Sequence, residues 1–454
     1  MNRPLLFKLG AIAVLILFLL VPLWMIDGLV GERQAYRDGV LQDIARSAAY
    51  EQHLSGPLLV VPYVRSVLEW ERDERSGTRV QVQREKRGQL YFLPERFALN
   101  GRMTTELRHR GIYEARLYHA DNRIQGDFLV PAHYGVGDDL ASYRFEQPFL
   151  AVGISDVRGI QNALKLEFAG KRLDFAPGSR TRLLGNGVNA PLPLSDSAEE
   201  QRFDYAFDLS LLGSARLDIA PVGRDSQVNL SADWPHPSFG GEFLPVERSV
   251  SDAGFSARWR TSFFASSMEE ALKRCVGQKD CNAFQGRSFG VSLVDPVDQY
   301  LKADRALKYA LLFISLTFAG FFLFEVLKGL AVHPVQYGLV GMALALFYLL
   351  LLSLSEHIGF ELAYLASASA CVGLIGFYLC TVLHSLWRGG AFSLGLAALY
   401  AALYGLLRAE DYALLMGSLL LFAVLAGVMA LTRRLDWYGV GRDKGATADL
   451  AGAQ

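Results

Sequence analysis

The sequence predicts a mixed membrane protein: six α-helical transmembrane spans plus a large, mainly β, antiparallel and sandwich-like periplasmic domain. Three observations carry this. Apolar runs long enough to cross a bilayer sit at the two ends of the 454-residue chain. Residues 27–306 between them hold 35 of the 45 Lys+Arg and 38 of the 46 Asp+Glu. Period-two alternation of apolar and polar residues dominates that middle stretch.

The first span is Leu9–Ile26, an uncharged run of 18 residues, about 27 Å as a helix against a hydrocarbon core of roughly 30 Å. Arg3 and Lys8 before it also fit a secretory signal. The run exceeds an ordinary signal core, however, and Val21–Asp27 offers no small-x-small cleavage site, so the reading is an uncleaved anchor. The later spans are Leu307–Leu327, Val335–Ser355, Leu362–Leu383, Gly389–Leu407 and Tyr412–Thr432, with Pro334 suited to a first helical position. Six spans place both termini on one side. Lys and Arg concentrate at the ends and loops that share that side, whereas the short opposite loops carry only Arg408. The bias puts the termini in the cytoplasm. The expected domains are therefore 1–26, an N-terminal anchor; 27–306, periplasmic and β-rich; 307–432, a five-helix bundle; and 433–454, a cytoplasmic tail.

A helix with three-and-four apolar spacing leaves the first span and is expected to stop at Gly56-Pro57. Beyond it Phe203, Tyr205, Phe207, Leu209 and Leu211 alternate with polar or small residues, as do Val228, Leu230 and Ala232. Such alternation suits antiparallel sheets with one wet face. Turns are expected at Ser76-Gly77, Asn186-Gly187 and Gly223-Arg224-Asp225. Asp295-Pro296 reads as an N-cap and first helical residue, opening an amphipathic helix that runs into the second span.

The catalytic templates mostly fail. There is no HExxH, no Walker A loop and no CxxC, and the scattered histidines lack metal-ligand spacing. The expectation is no catalytic residues, no metal and no cofactor. A net charge of −1 disfavours a nucleic-acid partner. His109 and His119 can face each other across a hairpin at Arg110-Gly111, a placement more usual for packing or surface groups. Cys275 and Cys281, with five residues between them, read as a disulfide in an oxidising compartment rather than a metal site. Glu356, His357 and Glu361 cluster between the third and fourth spans: a bundle mouth, or a solvated loop. Glu325 sits where it can pair with Lys328. Few other ionisable groups lie in the spans, which ranks coupled transport low. The densest unusual segment is Asp233–Pro245, with Trp234, His236, Phe239 and Phe243. It is either a recognition loop or, the reading preferred, a corner that plugs the core.

These residues also carry a resemblance. Trp234-Pro235-His236-Pro237-Ser238-Phe239, Phe243-Leu244-Pro245, Gly254–Trp259, Pro296–Tyr300, His333–Tyr337, Leu352–Phe360, Glu410–Leu415 and Asp436-Trp437-Tyr438 together resemble the CreD family of bacterial inner-membrane proteins, over essentially the whole chain. The resemblance implies membership of the Cre two-component regulon, links to cell-envelope integrity, colicin tolerance and β-lactam response, and no assigned catalytic residue. The leading expectation is a non-enzymatic inner-membrane protein whose periplasmic domain binds an unidentified envelope partner. The alternative is a transporter or lipid-handling channel using the C-terminal helices.

Overall fold

In the computed structural model the described residues are 3–72, 79–278, 281–295, 298–328, 332–383, 385–408 and 413–433. The expected turn at Ser76-Gly77, the polar tail and the start of the last span lie outside them. The chain forms two compact units, Met1–Asp38 with Val297–Gln454, and Gly39–Pro296. These borders differ from the expected 26/27 and 306/307. Asp27 does not interrupt the first helix, and the amphipathic segment after residue 298 packs among the apolar helices.

The helices are α1 (Arg3–Ser47), α2 (Phe263–Ser266), α3 (Met268–Gln278), α4 (Asn282–Gln285), α5 (Gln299–Lys308), α6 (Ala310–Lys328), α7 (Pro334–Ile358), α8 (Phe360–Val382), α9 (Leu386–Arg408) and α10 (Ala413–Thr432). Among the described residues α1, α7, α8 and α9 are long and apolar enough to cross a membrane. The pair α5–α6 qualifies if its 45° bend is bridged, and the apolar stretch of α10, Leu415–Ala430, is shorter. Four to five spans are thus supported by length and composition, against six expected. The bend lies at Tyr309, where an uninterrupted helix was expected. The cap of α5 is Asp298, three residues beyond Asp295: its carboxylate accepts from the Tyr300 and Leu301 amides at 3.0 and 3.2 Å. At α7, His333 accepts from the Val335 amide, and the Gln336 side chain accepts from the His333 amide at 3.1 Å, with Pro334 at the first helical position.

α1 is more than a tether. Ile12, Leu19, Leu23 and Ile26 are buried in one core with Phe318, Tyr337, Val340 and Leu344. A Cβ at Gly341 would strike the Leu19 side chain and Phe318, so glycine permits that close approach. Glu325 is buried at the same interface. Lys8 pairs with its carboxylate, the Tyr337 hydroxyl donates to it at 2.8 Å, and the Val332 amide donates at 3.0 Å.

In the other unit the strands are β1 (Gln52–Arg72), β2 (Arg79–Phe92), β3 (Arg96–Arg110), β4 (Tyr113–Val130), β5 (Tyr143–Phe145), β6 (Phe149–Ile154), β7 (Lys165–Phe168), β8 (Lys171–Asp174), β9 (Ala176–Pro177), β10 (Gly187–Pro191), β11 (Gln201–Ser214), β12 (Arg216–Ile219), β13 (Asp225–Ala232), β14 (Pro237–Gly241), β15 (Glu247–Ser251), β16 (Gly254–Ser262) and β17 (Phe289–Leu293). One sheet runs β14-β17-β12-β1-β6-β10-β9, with β2 and β5 also on β1; the other runs β15-β16-β13-β3-β4-β11-β7-β8. Most pairs are antiparallel, in line with the expected antiparallel character, while β1–β12 and β3–β13 are parallel. Both sheets feed one apolar core, as in a sandwich. β6 is buried along its full length, and Leu58–Val61 of β1 are all 0% exposed, which explains their uninterrupted apolar sequence.

Gly56-Pro57 does not stop a helix. α1 ends at Ser47, Ala49 and Tyr50 take positive φ, and the pair sits inside β1 where its register against β6 shifts. Gly56, at φ +95°, takes a conformation that favours glycine.

Candidate functional site

The aromatic segment 234–243 is consumed by packing within the sheet unit. The Trp234 indole donates to the Val294 carbonyl at 3.1 Å, and the Arg116 guanidinium lies 3.4 Å from its ring centre. Phe239, on β14, meets Phe255 and Trp259 edge-on, and Phe243 meets Phe289. Trp259 is fully buried, and its indole donates to the Phe243 carbonyl at 3.2 Å. His236 is exposed, its ring edge-on to Trp234. This geometry is a corner that closes the core. Cys275 and Cys281 are joined as a disulfide, with Cys275 buried in the same apolar core.

The three residues expected at a bundle mouth part company. Glu356 accepts from the Tyr300 hydroxyl at 2.9 Å and lies 3.7 Å from the Arg33 guanidinium. Arg37 stacks over Tyr300 and pairs with Asp298 at 2.8 Å. Glu356 therefore ties α1, α5 and α7 together. His357 is exposed, and Glu361 borders a separate groove between α8 and α9. None of this pairs a nucleophile with a base and an orienting group.

His109 and His119 do lie on a hairpin, β3–β4, but they do not meet. His109 is 3.4 Å from Glu114. His119 is held between Gln161 at 2.8 Å and Glu106 at 3.1 Å, and these hydrogen bonds, Gln161's first, raise its pKa above the ordinary value. His53 is shifted the other way by burial. Among the described residues no group of His, Cys, Asp and Glu is placed to hold a metal.

The feature that sequence reasoning missed is on the polar face of the eight-stranded sheet. Register lines up Glu247, Arg258, Asn229, Asn100, Arg123 and Asp208 across six neighbouring strands. Arg258 reaches Glu247 at 3.0 Å and donates to the Asn229 carbonyl oxygen at 3.1 Å; the Asn229 amide donates to Asn100 at 2.7 Å; Arg123 reaches Asp208 at 2.8 Å. The next row is Ser249, Ser256, Ser231, Arg102, Asp121 and Ser210. Its three consecutive small serines drop the surface and help form a trough of about 620 Å³, flanked by Arg102, Arg248 and Arg258. Arg258 is committed to Glu247 and Asn229, whereas Arg102 and Arg248 make no ion pair among the described residues. Hydroxyls, amides and the available Arg102 guanidinium suit a ligand rich in carboxylate, phosphate or hydroxyl groups. The only sequence signal was the outward half of each alternation; the pairing of β13 alongside β3, which assembles it, joins segments far apart in the chain.

Comparison with known proteins adds the rest. A region covering 38% of this chain is similar to 27% of native leukotriene A4 hydrolase from Saccharomyces cerevisiae, at 12% identity and a TM-score of 0.20, too low to bear on fold or function. The chain is 36% identical over 438 residues to the Inner membrane protein CreD of Escherichia coli (strain K12), covering 96% of this chain and 95% of that protein. Residues 4–438 match the family described as Inner membrane protein CreD. The chain therefore belongs to the CreD family of inner membrane proteins.

Proposed function

We propose that this chain is a non-enzymatic inner-membrane protein that supports cell-envelope integrity and stress response by holding an envelope partner on its periplasmic sheet unit. Six spans, with both termini cytoplasmic and residues 27–306 outside, make up the topology of the proposal. Two observations support that placement: the Lys and Arg bias of the short loops and the Cys275–Cys281 disulfide, a bond that persists in oxidising compartments. The observation that carries the function is the trough. A concave polar surface on a rigid sheet, with Arg102 uncommitted, is built for recognition, and no catalytic arrangement accompanies it among the described residues. The partner class is an anionic, hydroxyl-rich envelope component.

Photo-crosslinking amino acids placed in living cells at Arg102, Asn229 and Ser249 test this, with His236 as the control on the corner. Adducts from the three trough positions, and none from the control, are expected. Adducts only from the control, or none from the trough, overturn the proposal.

A further inference from the structure

The groove between α8 and α9 has a chemistry of its own, independent of the trough. Its volume is about 770 Å³, and most of its lining is apolar: Leu362, Leu365, Ala368, Val372, Gly373 and Ala397. Leu362 and Leu365 are exposed on helices apolar enough to cross a membrane, so the medium around the groove is lipid. α9 returns beside α8, which brings Glu361 and Tyr364 to the Tyr404 end of the groove and Gly373 to the Ala397 end. The Tyr364 and Tyr404 rings are 5.2 Å apart.

The polarity runs in one direction. Glu361, at the start of α8, is exposed and makes no ion pair among the described residues. The Tyr364 hydroxyl is spent on the Tyr400 carbonyl at 2.7 Å, whereas the Tyr404 phenol has no hydrogen-bond partner among the described residues. Arg408 follows Tyr404 by four residues, one turn further on the same helix face, and is also exposed without an ion pair among the described residues. From Glu361 to Gly373 the groove extends twelve residues along α8, about 18 Å at the helical rise. That is close to one leaflet, half of a hydrocarbon core of roughly 30 Å. A carboxylate and a guanidinium at one end, a phenol beside them and an apolar channel one leaflet deep complement a single kind of occupant.

We propose that this groove binds one acyl chain of a zwitterionic, amine-headed phospholipid, with the ammonium on Glu361, the phosphate on Arg408 and an ester carbonyl on Tyr404. A neutral or purely anionic head leaves the Glu361 carboxylate without a partner. The groove is then a specific lipid site in the membrane unit.

The test uses the full chain in nanodiscs of equal phosphatidylethanolamine and phosphatidylglycerol, with retained lipids counted by native mass spectrometry. The expected result is one retained phosphatidylethanolamine, favoured over phosphatidylglycerol by about tenfold. Gly373→Leu fills the groove, since nothing lies within 4 Å of a Cβ there, and abolishes retention. Glu361→Gln keeps a bound lipid and loses the preference. Should Gly373→Leu fail to fold, Ala401→Leu, which also fills the groove, serves the same arm. Equal retention of the two lipids by the unaltered chain overturns the proposal. So does undiminished retention in a folded groove-filling variant, or a preference that survives Glu361→Gln.

Discussion

Replacing Lys8 with methionine strips the counter-ion from a nearly buried carboxylate. The Glu325 side chain is 6% exposed and that of Lys8 22%. Losing one partner of a fully buried pair costs about 3–5 kcal/mol. Partial exposure of Lys8 lowers the expectation to about 2–3 kcal/mol, because some of the pair's attraction is already screened. Glu325→Gln is milder. It removes the charge but leaves one oxygen for two donors, the Tyr337 hydroxyl and the Val332 amide, so one hydrogen bond is lost at about 1 kcal/mol. The freed Lys8 can extend toward water. The double variant is therefore expected to be more stable than Lys8→Met alone. Unfolding free energies in mixed micelles, titrated with dodecyl sulfate and followed by circular dichroism, measure all three. Strictly additive losses, or a Lys8→Met variant within about 0.5 kcal/mol of the unaltered chain, would refute the pairing of α1 with α6 and α7.

Two further outcomes follow from the sheet unit. Trp259→Ala removes a fully buried indole that stacks on Phe289 and is expected to cost about 3–5 kcal/mol in urea unfolding; Trp259→Phe leaves the Phe243 carbonyl unpaired and costs about 1–3 kcal/mol. A Trp259→Ala loss below about 1 kcal/mol would contradict the corner reading. For pH, His119 has a raised folded-state pKa, so its stabilising contribution is full below the ordinary value of 6.5 and fades as pH rises through the folded value. His53 has a lowered one, so its contribution is held above 6.5 and lost on acidification. Imidazole titration by NMR should place the two on opposite sides of 6.5, and Gln161→Leu should bring His119 down; no change in that variant counts against the hydrogen-bond cause.

Local periodicity was legible wherever one face of an element is wet. The alternation from Phe203 to Leu211 became β11, that from Val228 to Ala232 became β13, and the long apolar runs are helical among the described residues, the one at 307–327 with a break at Tyr309. What failed was punctuation. Gly56-Pro57 reads as a helix stop, yet a strand can absorb the same dipeptide at a bulge, and the real stop is the pair of positive-φ residues Ala49 and Tyr50. Asp295 and Asp298 are both fit to cap a helix, and only the fold selects Asp298. Glu325 was matched to a neighbour on its own helix because local spacing is all a sequence displays; its partner Lys8 is brought in by packing of α1. The trough needed strand order, which no single strand encodes. The aromatic segment at 234–243 was visible, and its role in core packing, the preferred reading, follows from half-buried rings of Phe239 and Phe243 that meet Phe255, Trp259 and Phe289.

The whole functional account rests on the sheet unit lying outside the cytoplasm. Arg108 and Arg110 are exposed beside the tight connection between β3 and β4 at Gly111 and offer trypsin its sites there. Trypsin added to intact spheroplasts is expected to cut at this connection while an epitope fused to the C-terminus stays protected, with the pattern reversed in inverted vesicles. Cleavage at the connection only in inverted vesicles would contradict the account.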